Sequence, residues 1–177
     1  NRGEQRQTIQ EFIQENVPAS SALSSQMSLG NPEIMAALKA MVKDTIINEV
    51  RIWGDSERLH IHETACMVNT LFNTSSGEIT IGAYTFAGHD VRIITGTHYY
   101  TRKLEERMDY PKEGRDVVIG KGVWLASNVT ILGPCTIGDH SVVAAGSVVK
   151  AGTVIPEGTV FGGIPAKLIQ EIKFECN

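Results

Sequence analysis

Residues 117–161 read VVIGKGVWLASNVTILGPCTIGDHSVVAAGSVVKAGTVIPEGTVF. A large apolar side chain stands at every sixth position of this stretch: Ile119, Leu125, Ile131, Ile137, Val143, Val149, Ile155 and Phe161. The position two residues earlier is always small or β-branched: Val117, Val123, Val129, Cys135, Ser141, Ser147, Thr153 and Thr159. A helix repeats every ~3.6 residues and an ordinary strand every ~2, so neither explains a period of six. A period of six is typical of a parallel β-helix built from hexapeptides. The chain is therefore predicted to be mainly β.

The hexapeptide period has a simple physical basis. Each repeat forms one short strand and one tight corner, and three repeats close a triangular coil, so that residues about eighteen apart stack. The aliphatic side chain fills the axis of the prism, and the small side chain fits the corner. Stacked coils pair their backbones as parallel strands, which gives each buried amide a partner. A sandwich is disfavoured because its turns fall roughly 8–12 residues apart without a fixed phase.

The same phase recurs upstream at five positions: Ile61, Met67, Ile81, Ala87 and Ile93. A Ser/Gly break at 73–77 interrupts this upstream part, and a charged excursion at 97–116 separates it from the main repeat. Charged side chains cannot enter the apolar prism, so the excursion is predicted to project as a loop between two coils. Long loops on a rigid repeat scaffold commonly carry function.

Three regions are predicted along the chain. Residues 1–50 show helical apolar spacing and are predicted to form a helical cap over the open end of the β-helix. Residues 51–163 form the β-helix with its loop. Residues 164–177 are predicted as a short C-terminal helix and tail, because apolar side chains recur at helical spacing after Pro165. They are Leu168, Ile169 and Ile172.

Composition limits the classes of protein that fit. A length of 177 residues suits one domain, and a net charge of −4 gives no nucleic-acid footprint. Nothing in the sequence resembles a signal peptide or an integral membrane segment. The three cysteines, Cys66, Cys135 and Cys176, have no metal-ligand spacing and are predicted to be reduced thiols. The sequence therefore predicts a cytoplasmic protein.

Four segments of the chain resemble the hexapeptide-repeat acetyltransferases, and most closely the branch of maltose/galactoside and colanic-acid O-acetyltransferases. They are Ile119-Gly-Lys-Gly-Val-Trp124, Gly133-Pro-Cys-Thr-Ile-Gly138, Ala144-Ala-Gly-Ser-Val-Val149 and Gly163-Ile-Pro-Ala-Lys167. Thr95-Gly-Thr-His98, followed by a loop, fits the same branch. The resemblance covers roughly residues 60–172. It implies a left-handed β-helix, a homotrimer, acetyl-CoA as the donor, and active sites between subunits.

His98 is the candidate catalytic residue. It follows a β-helix run and stands at the start of the charged loop, where the resemblance implies the family's catalytic histidine. Transfer of an acetyl group from a thioester to an alcohol needs a base, because a hydroxyl is a poor nucleophile at neutral pH. An imidazole near its ordinary pKa suits that role.

Five residues are candidates for binding acetyl-CoA. Trp124 is predicted to point outward, and the resemblance implies that it lines the donor channel. Ser127 and Ala145 match positions whose backbone groups hold the pantetheine arm. Lys167 matches a basic residue near the nucleotide end, and Lys150 is a second cation for the phosphates. Where the family often has another arginine, this chain has Gln170, which leaves the phosphate contacts open.

The acceptor side has weaker signals. Asn69 lies near the position of a family asparagine that orients the sugar. Tyr99 and Tyr100 follow His98 and either stack on a pyranose ring or pack the loop. Asp90 and Asp109 are candidate partners that would orient the imidazole.

The histidine spacing disfavours a metal-dependent chemistry on the same fold. γ-Type carbonic anhydrases share the fold but need two histidines five residues apart, and that pair is absent here, so no metal is predicted. The histidines are His60, His62, His89, His98 and His140. The predicted function is therefore acetyl-CoA-dependent O-acetylation of a hydroxyl of a sugar or glycan precursor, by direct attack with a histidine general base; the predicted partner is a small-molecule or glycan acceptor. The alternatives are N-acetylation of an amino-sugar nucleotide, acetylation of a xenobiotic, and a non-catalytic β-helix scaffold.

Overall fold

The structure is a computed structural model that describes residues 50–175. The predicted helical cap spans residues 1–50, and all of it except residue 50 lies outside the described residues. Cys176 lies outside them as well. Within residues 50–175, short strands dominate and wind around a single axis. The predicted parallel β-helix is confirmed by the way these strands pair.

Three sheets form the walls of the prism in the described part of the chain. Sheet A contains, in spatial order, β1 (Arg51–Trp53), β4 (Leu71–Asn73), β7 (Arg92–Ile94), β10 (Thr130–Leu132) and β13 (Val148–Val149). Sheet B contains β2 (Leu59–Ile61), β5 (Ile79–Ile81), β8 (Val117–Ile119), β11 (Cys135–Ile137) and β14 (Thr153–Ile155). Sheet C contains β3 (Cys66–Met67), β6 (Phe86–Ala87), β9 (Trp124–Leu125), β12 (Val142–Val143), β15 (Thr159–Gly163) and β16 (Ala166–Glu171). From β1 to β15, successive strands in the chain take successive walls, so that each coil visits all three sheets.

Strand register accounts for the charged excursion. Ile119 pairs with Ile137, eighteen residues further on, as expected for a coil of three hexapeptides. Ile81 pairs with Ile119, thirty-eight residues further on. The difference of twenty residues equals the length of the excursion predicted at 97–116. The extra residues therefore leave the prism and return without disturbing the register.

The predicted phase of the main repeat is confirmed by burial. Seven of its aliphatic residues are at most 1% exposed, namely Ile119, Leu125, Ile131, Ile137, Val143, Val149 and Ile155. Phe161 is partly buried against the core at the last coil. Upstream, the phase shifts by one residue at β4, where Phe72 is fully buried although the six-residue pattern does not include it. Phe72 pairs with Ile93 twenty-one residues later, so this coil is longer than the repeat predicts.

Buried polar side chains at the small positions bond to the neighbouring coil. The Ser141 hydroxyl donates to the Pro156 carbonyl oxygen at 2.7 Å, and the Thr85 hydroxyl donates to the Gly120 carbonyl oxygen at 2.7 Å. Such bonds remove most of the penalty for burying a hydroxyl. At the equivalent position, burial raises the pKa of the Cys135 thiol to about 12. Cys135 is thus a core residue whose thiol stays protonated near neutral pH.

The predicted C-terminal helix is wrong. Residues 166–171 form β16, which pairs antiparallel with β15; Gly162, for example, lies opposite Lys167. The edge of β15 presents backbone donors and acceptors that a returning strand satisfies, whereas a helix would leave them unpaired. Apolar residues spaced over so short a segment fit a helix or a strand equally well, and the open sheet edge decides between them.

Ile137 provides a test of the core assignment. Its side chain is 1% exposed, with coils above and below it. Ile137→Ala is expected to reduce the free energy of unfolding by about 2–5 kcal/mol, because it leaves a cavity in the prism. The control, Lys121→Ala, removes an exposed side chain and is expected to change it by less than ~0.5 kcal/mol. Chemical denaturation measures both, and equal midpoints would mean that the assigned phase is wrong.

Candidate active site

The loop between β7 and β8 is tied to the prism at its root and near its far end. At the root, Arg115 Nε donates to the carbonyl oxygen of Thr95 at 2.7 Å. Further along, Arg58 of the first coil donates from Nη1 to the carbonyl oxygen of Lys112 at 2.8 Å and to that of Thr74 at 3.3 Å. Because charged donors make the stronger hydrogen bonds, these contacts hold the loop in one place on the prism wall.

His98 is exposed at the start of this loop, and its ring is oriented by the loop itself. Nδ1 lies 3.0 Å from the carbonyl oxygen of Met108, which is the last residue of a one-turn helix α1 (Glu105–Met108). A carbonyl oxygen only accepts, so Nδ1 carries the hydrogen and the lone pair resides on Nε2. The ring of Tyr110 packs edge-on against the imidazole, with centroids 5.9 Å apart. A neutral imidazole held in this way leaves Nε2 able to accept a proton.

A cavity of about 380 Å³ opens beside the imidazole. We call it the His98 pocket; its lining residues are Trp53, Asn73, Ser75, Gly96, Thr97, His98 and Tyr110. Its volume lies in the range of small-molecule sites. The loop approaches the wall closely because residue 96 is glycine; a Cβ there would lie 2.7 Å from Asn73 Oδ1.

The residues that were expected to accompany His98 lie elsewhere in the single chain or have other contacts. Asp109 Oδ2 lies 3.8 Å from Arg102 Nη1, and Asp90 Oδ1 accepts a hydrogen bond from Asn69 Nδ2 at 3.1 Å. The carbonyl of Met108 takes the orienting role for which these two carboxylates were candidates. The ring of Tyr99 lies beneath the Arg102 guanidinium at 3.9 Å, while Tyr100 is exposed.

Trp124 projects from the outer face of sheet C, where it is 46% exposed. Its indole stacks on the ring of Phe86, the in-register residue of the preceding coil, with centroids 6.0 Å apart. The two rings make an aromatic ledge on this wall of the prism. An exposed ledge of this size is typical of a surface that binds a ligand or another chain.

Ser127 and Ala145 lie together at the corner where sheet C passes into sheet A. The Ser127 hydroxyl accepts from the backbone N–H of His89 at 3.2 Å, so its own hydrogen is available to another acceptor. The carbonyl of Ser127 accepts from the N–H of Gly146, the residue that follows Ala145. Asn69 occupies the same corner further along the axis.

The two candidate lysines are both exposed. Lys150 follows β13 and lies at the corner between sheets A and B, two coils along from the start of the His98 loop. Lys167 lies on β16, opposite Gly162. Within one chain, His98 and Lys150 therefore lie at the corner between sheets A and B. Trp124 lies on sheet C, and Ser127 and Ala145 lie at the corner between sheets C and A. The prism keeps these two groups apart within a single chain.

The remaining histidines have contacts of their own. His60 Nε2 lies 3.5 Å from a carboxylate oxygen of Glu78, and His62 Nδ1 lies 3.0 Å from the hydroxyl of Thr64. His140 packs edge-on against Phe174. His60, His62 and His140 thus each have a local contact that does not involve His98.

Sequence reasoning missed four residues of the His98 pocket: Trp53, Asn73, Ser75 and Tyr110. Trp53 and Asn73 lie in coils whose length departs from eighteen residues, so the repeat does not align them with His98. Tyr110 lies inside the excursion, where no period exists. Of these residues, only Trp53 could have been suspected from the sequence. A tryptophan at the end of a strand and next to Gly54 is not a usual core residue, which suggests an exposed ring.

Comparison with known proteins agrees with this architecture. Residues 116–151 match the family model described as bacterial transferase hexapeptide (six repeats). No curated protein matches the sequence.

Several solved structures are similar to this chain. A maltose O-acetyltransferase from Clostridium difficile 630 is 27% identical, with 71% of this chain and 68% of that chain covered and a TM-score of 0.57. A hexapeptide-repeat acetyltransferase from Vibrio cholerae O1 biovar eltor, solved with acetyl coenzyme A, is 25% identical over 84% of this chain and 81% of that chain, with a TM-score of 0.50. These matches confirm the predicted resemblance and the left-handed β-helix, and they support the predicted class, an acyltransferase.

A third structure bears on the fold alone. A variant of an N-acyltransferase from Bacillus cereus, solved with dTDP and coenzyme A, is 14% identical over 71% of this chain and 78% of that chain, with a TM-score of 0.53. Separately, no helix within residues 50–175 is long and apolar enough to span a membrane.

Arg58 provides a test of how the loop is held. Arg58→Ala removes the charged donor to the Lys112 carbonyl, a bond worth roughly 1.5–3 kcal/mol, so local opening of the loop is expected to rise about tenfold or more. Brief trypsin digestion with mass detection would show faster cleavage after Arg102, Lys103 and Arg107. Arg51→Ala, at an exposed arginine of β1, is the control. Equal loop cleavage in both variants would contradict the anchoring role.

Proposed function

We propose that this protein is an acetyl-CoA-dependent O-acetyltransferase that acts on a hydroxyl of a sugar or glycan precursor. The observation that carries the proposal is His98, whose Nδ1 is engaged by the Met108 carbonyl beside a cavity of about 380 Å³. The likeness to a maltose O-acetyltransferase at 27% identity supports the choice of a sugar hydroxyl. The protein would act in the cytoplasm, where acetyl-CoA is available and where a free thiol such as Cys66 stays reduced.

The proposed reaction is a direct transfer. The acceptor hydroxyl oxygen forms a bond to the carbonyl carbon of the acetyl thioester while its proton passes to His98 Nε2. The tetrahedral intermediate then collapses, the carbon–sulfur bond breaks, and Nε2 returns the proton to the coenzyme A sulfur. The hydroxyl of Ser127, whose hydrogen is available, would stabilise the oxyanion. Holding both substrates together makes the attack effectively intramolecular.

The donor is proposed to lie along the wall that carries the aromatic ledge. The relative from Vibrio cholerae was solved with acetyl coenzyme A, which supports this donor. Trp124 would pack against the pantetheine arm, and backbone groups at Ser127 and Ala145 would bond to its amides. Lys167, an exposed cation on sheet C, would meet the phosphates, and Lys150 would meet them from the His98 corner of the neighbouring copy.

We propose a homotrimer, because one chain holds His98 apart from the donor-side residues. A heterologous contact repeated around a closed ring of three would set the His98 corner of one copy against sheet C of the next. Asn69 would then reach the acceptor from the neighbouring copy. Tyr99 and Tyr100 stay proposed acceptor contacts from the loop, although Tyr99 already packs against Arg102.

Removal of the imidazole tests the base. His98→Ala is expected to lower kcat by roughly 10²–10⁴, the usual contribution of general base catalysis, with little change in acetyl-CoA binding. Acceptor-dependent release of coenzyme A measures turnover, and a thermal shift with acetyl-CoA measures donor binding. Turnover near that of the wild type would reject the assignment. No acyl-CoA-induced shift in either protein would favour the scaffold alternative.

Mixed trimers test whether the site lies between chains. His98→Ala and Trp124→Ala proteins are unfolded, mixed in equal amounts and refolded together. If each site takes His98 from one copy and Trp124 from the next, about a quarter of the sites regain both residues, and the mixture regains about a quarter of wild-type activity. Activity no higher than that of the two variants refolded separately would place both residues in one chain or outside the site.

A further inference from the structure

The wall of the His98 pocket opposite the loop is built by two in-register residues. Trp53 of β1 pairs with Asn73 of β4, and Phe72 beside Asn73 is fully buried, so both side chains point outward on the same face. Their position is fixed by the parallel ladder and by the N–H of Thr74, which donates to the Trp53 carbonyl at 2.9 Å. A rigid platform therefore faces His98 from the same chain.

Trp53 is 70% exposed, although it stands on a regular strand. A large aromatic ring held in place on a rigid wall offers apolar area that a ligand can cover favourably. The flat face of an indole suits the C–H face of a pyranose ring, since both are apolar and planar on that side. Trp53 also borders the cavity that contains the imidazole.

The side-chain amide of Asn73 has its oxygen in a hydrogen bond, and its nitrogen can donate to a ligand. Its Oδ1 accepts from the N–H of Ser75 at 3.0 Å, which fixes the orientation of the amide. Its Nδ2 is left to donate into the pocket. Gly96 keeps this group accessible, because a Cβ at residue 96 would lie 2.9 Å from Asn73 Nδ2. The amide is thus placed to bond to a hydroxyl of a bound ring.

The residues that line the pocket carry no formal charge when His98 is neutral. Three cations near the pocket are engaged by the protein itself. Arg58 and Arg115 donate to backbone carbonyls, and the Lys112 ammonium lies 3.6 Å from the centroid of the Tyr110 ring. A phosphate or carboxylate on the acceptor would find no cation among these lining side chains. An uncharged ring matches the pocket better.

We infer that Trp53 and Asn73 form the acceptor subsite, and that the acceptor is an uncharged pyranoside. The ring stacks on the Trp53 indole, Asn73 Nδ2 donates to one ring hydroxyl, and a neighbouring hydroxyl faces Nε2 of His98 in the same chain. This inference rests on the proposed function. It adds two specificity-determining residues and a charge preference that the function alone does not require.

Binding is tested without the reaction. Trp53 and Trp124 are the two tryptophans of the chain, so Trp124→Phe leaves Trp53 as the only indole reporter. The probes are methyl α-glucopyranoside, methyl α-galactopyranoside and methyl glucuronoside, titrated without acetyl-CoA. A saturable change in Trp53 fluorescence with a neutral glycoside, and a binding constant weaker by about tenfold for the charged one, are expected. No change with any probe would overturn the inference.

Kinetics of variants separate this inference from the proposed function. Trp53→Ala is expected to raise the KM for a neutral glycoside about tenfold and to leave the KM for acetyl-CoA unchanged, while Trp53→Phe restores most of the loss. Asn73→Asp keeps the acceptor for the Ser75 N–H but removes the donor, and it is expected to raise the acceptor KM as well. Tyr84→Ala, at an exposed aromatic residue remote from the pocket, is the control.

The binding and kinetic results together distinguish failure of this inference from failure of the proposed function. If the wild type acetylates glycosides and Trp53→Ala keeps its KM, the inference fails and the proposed function stands. If neutral glycosides bind to Trp53 but no acetyl group is transferred from acetyl-CoA, the proposed function fails and the subsite stands. Preferred binding or acetylation of the glucuronoside would overturn the charge preference.

Discussion

The structure depends on the vertical pairing of equivalent positions in successive coils. Ile119, Ile137 and Ile155 stack in register on sheet B, and each is at most 1% exposed. The same pairing gives the backbone N–H and C=O groups their hydrogen-bond partners. A change of register would therefore alter side-chain burial and backbone hydrogen bonding together. A slip of one residue would expose the aliphatic column and bury outward polar groups at once.

This constraint decides where extra residues go. Because the register resumes unchanged on both sides of the loop, the insertion must leave and re-enter at a corner of the prism, between sheet A and sheet B. Arg115 closes the root and Arg58 ties the far part to the first coil, both through carbonyl oxygens. The loop is thereby held as an ordered element, and its own Met108 carbonyl can orient His98. A rigid wall with a tethered loop gives a histidine of defined tautomer without a carboxylate partner.

The same rigidity divides the functional surface. A prism wall cannot bend to bring the Trp124 ledge of sheet C to the His98 corner, so the two proposed half-sites of one chain face in different directions. In the proposed enzyme, assembly of copies joins the acceptor half, with Trp53 and Asn73, to the donor half of the next chain. Specificity for the acceptor would then reside in the first coils, whereas donor binding would reside in the regular repeat. Such a division lets the acceptor subsite vary while the repeat that holds the donor stays the same.

The sequence alone determined the repeat, its inward phase from Ile119 to Ile155, and the twenty-residue excursion, because a six-residue period is a local property that each hexapeptide carries by itself. It also singled out His98 at the root of the loop. Only the tertiary structure decided which residues meet His98. Trp53 and Asn73 depend on coils of irregular length, and the Met108 carbonyl and Tyr110 depend on how an aperiodic loop folds back. The strand at residues 166–171 was likewise decided by the open edge of β15, since hydrogen bonds across a sheet depend on which backbone is adjacent in space, and local spacing of apolar residues does not encode that neighbour.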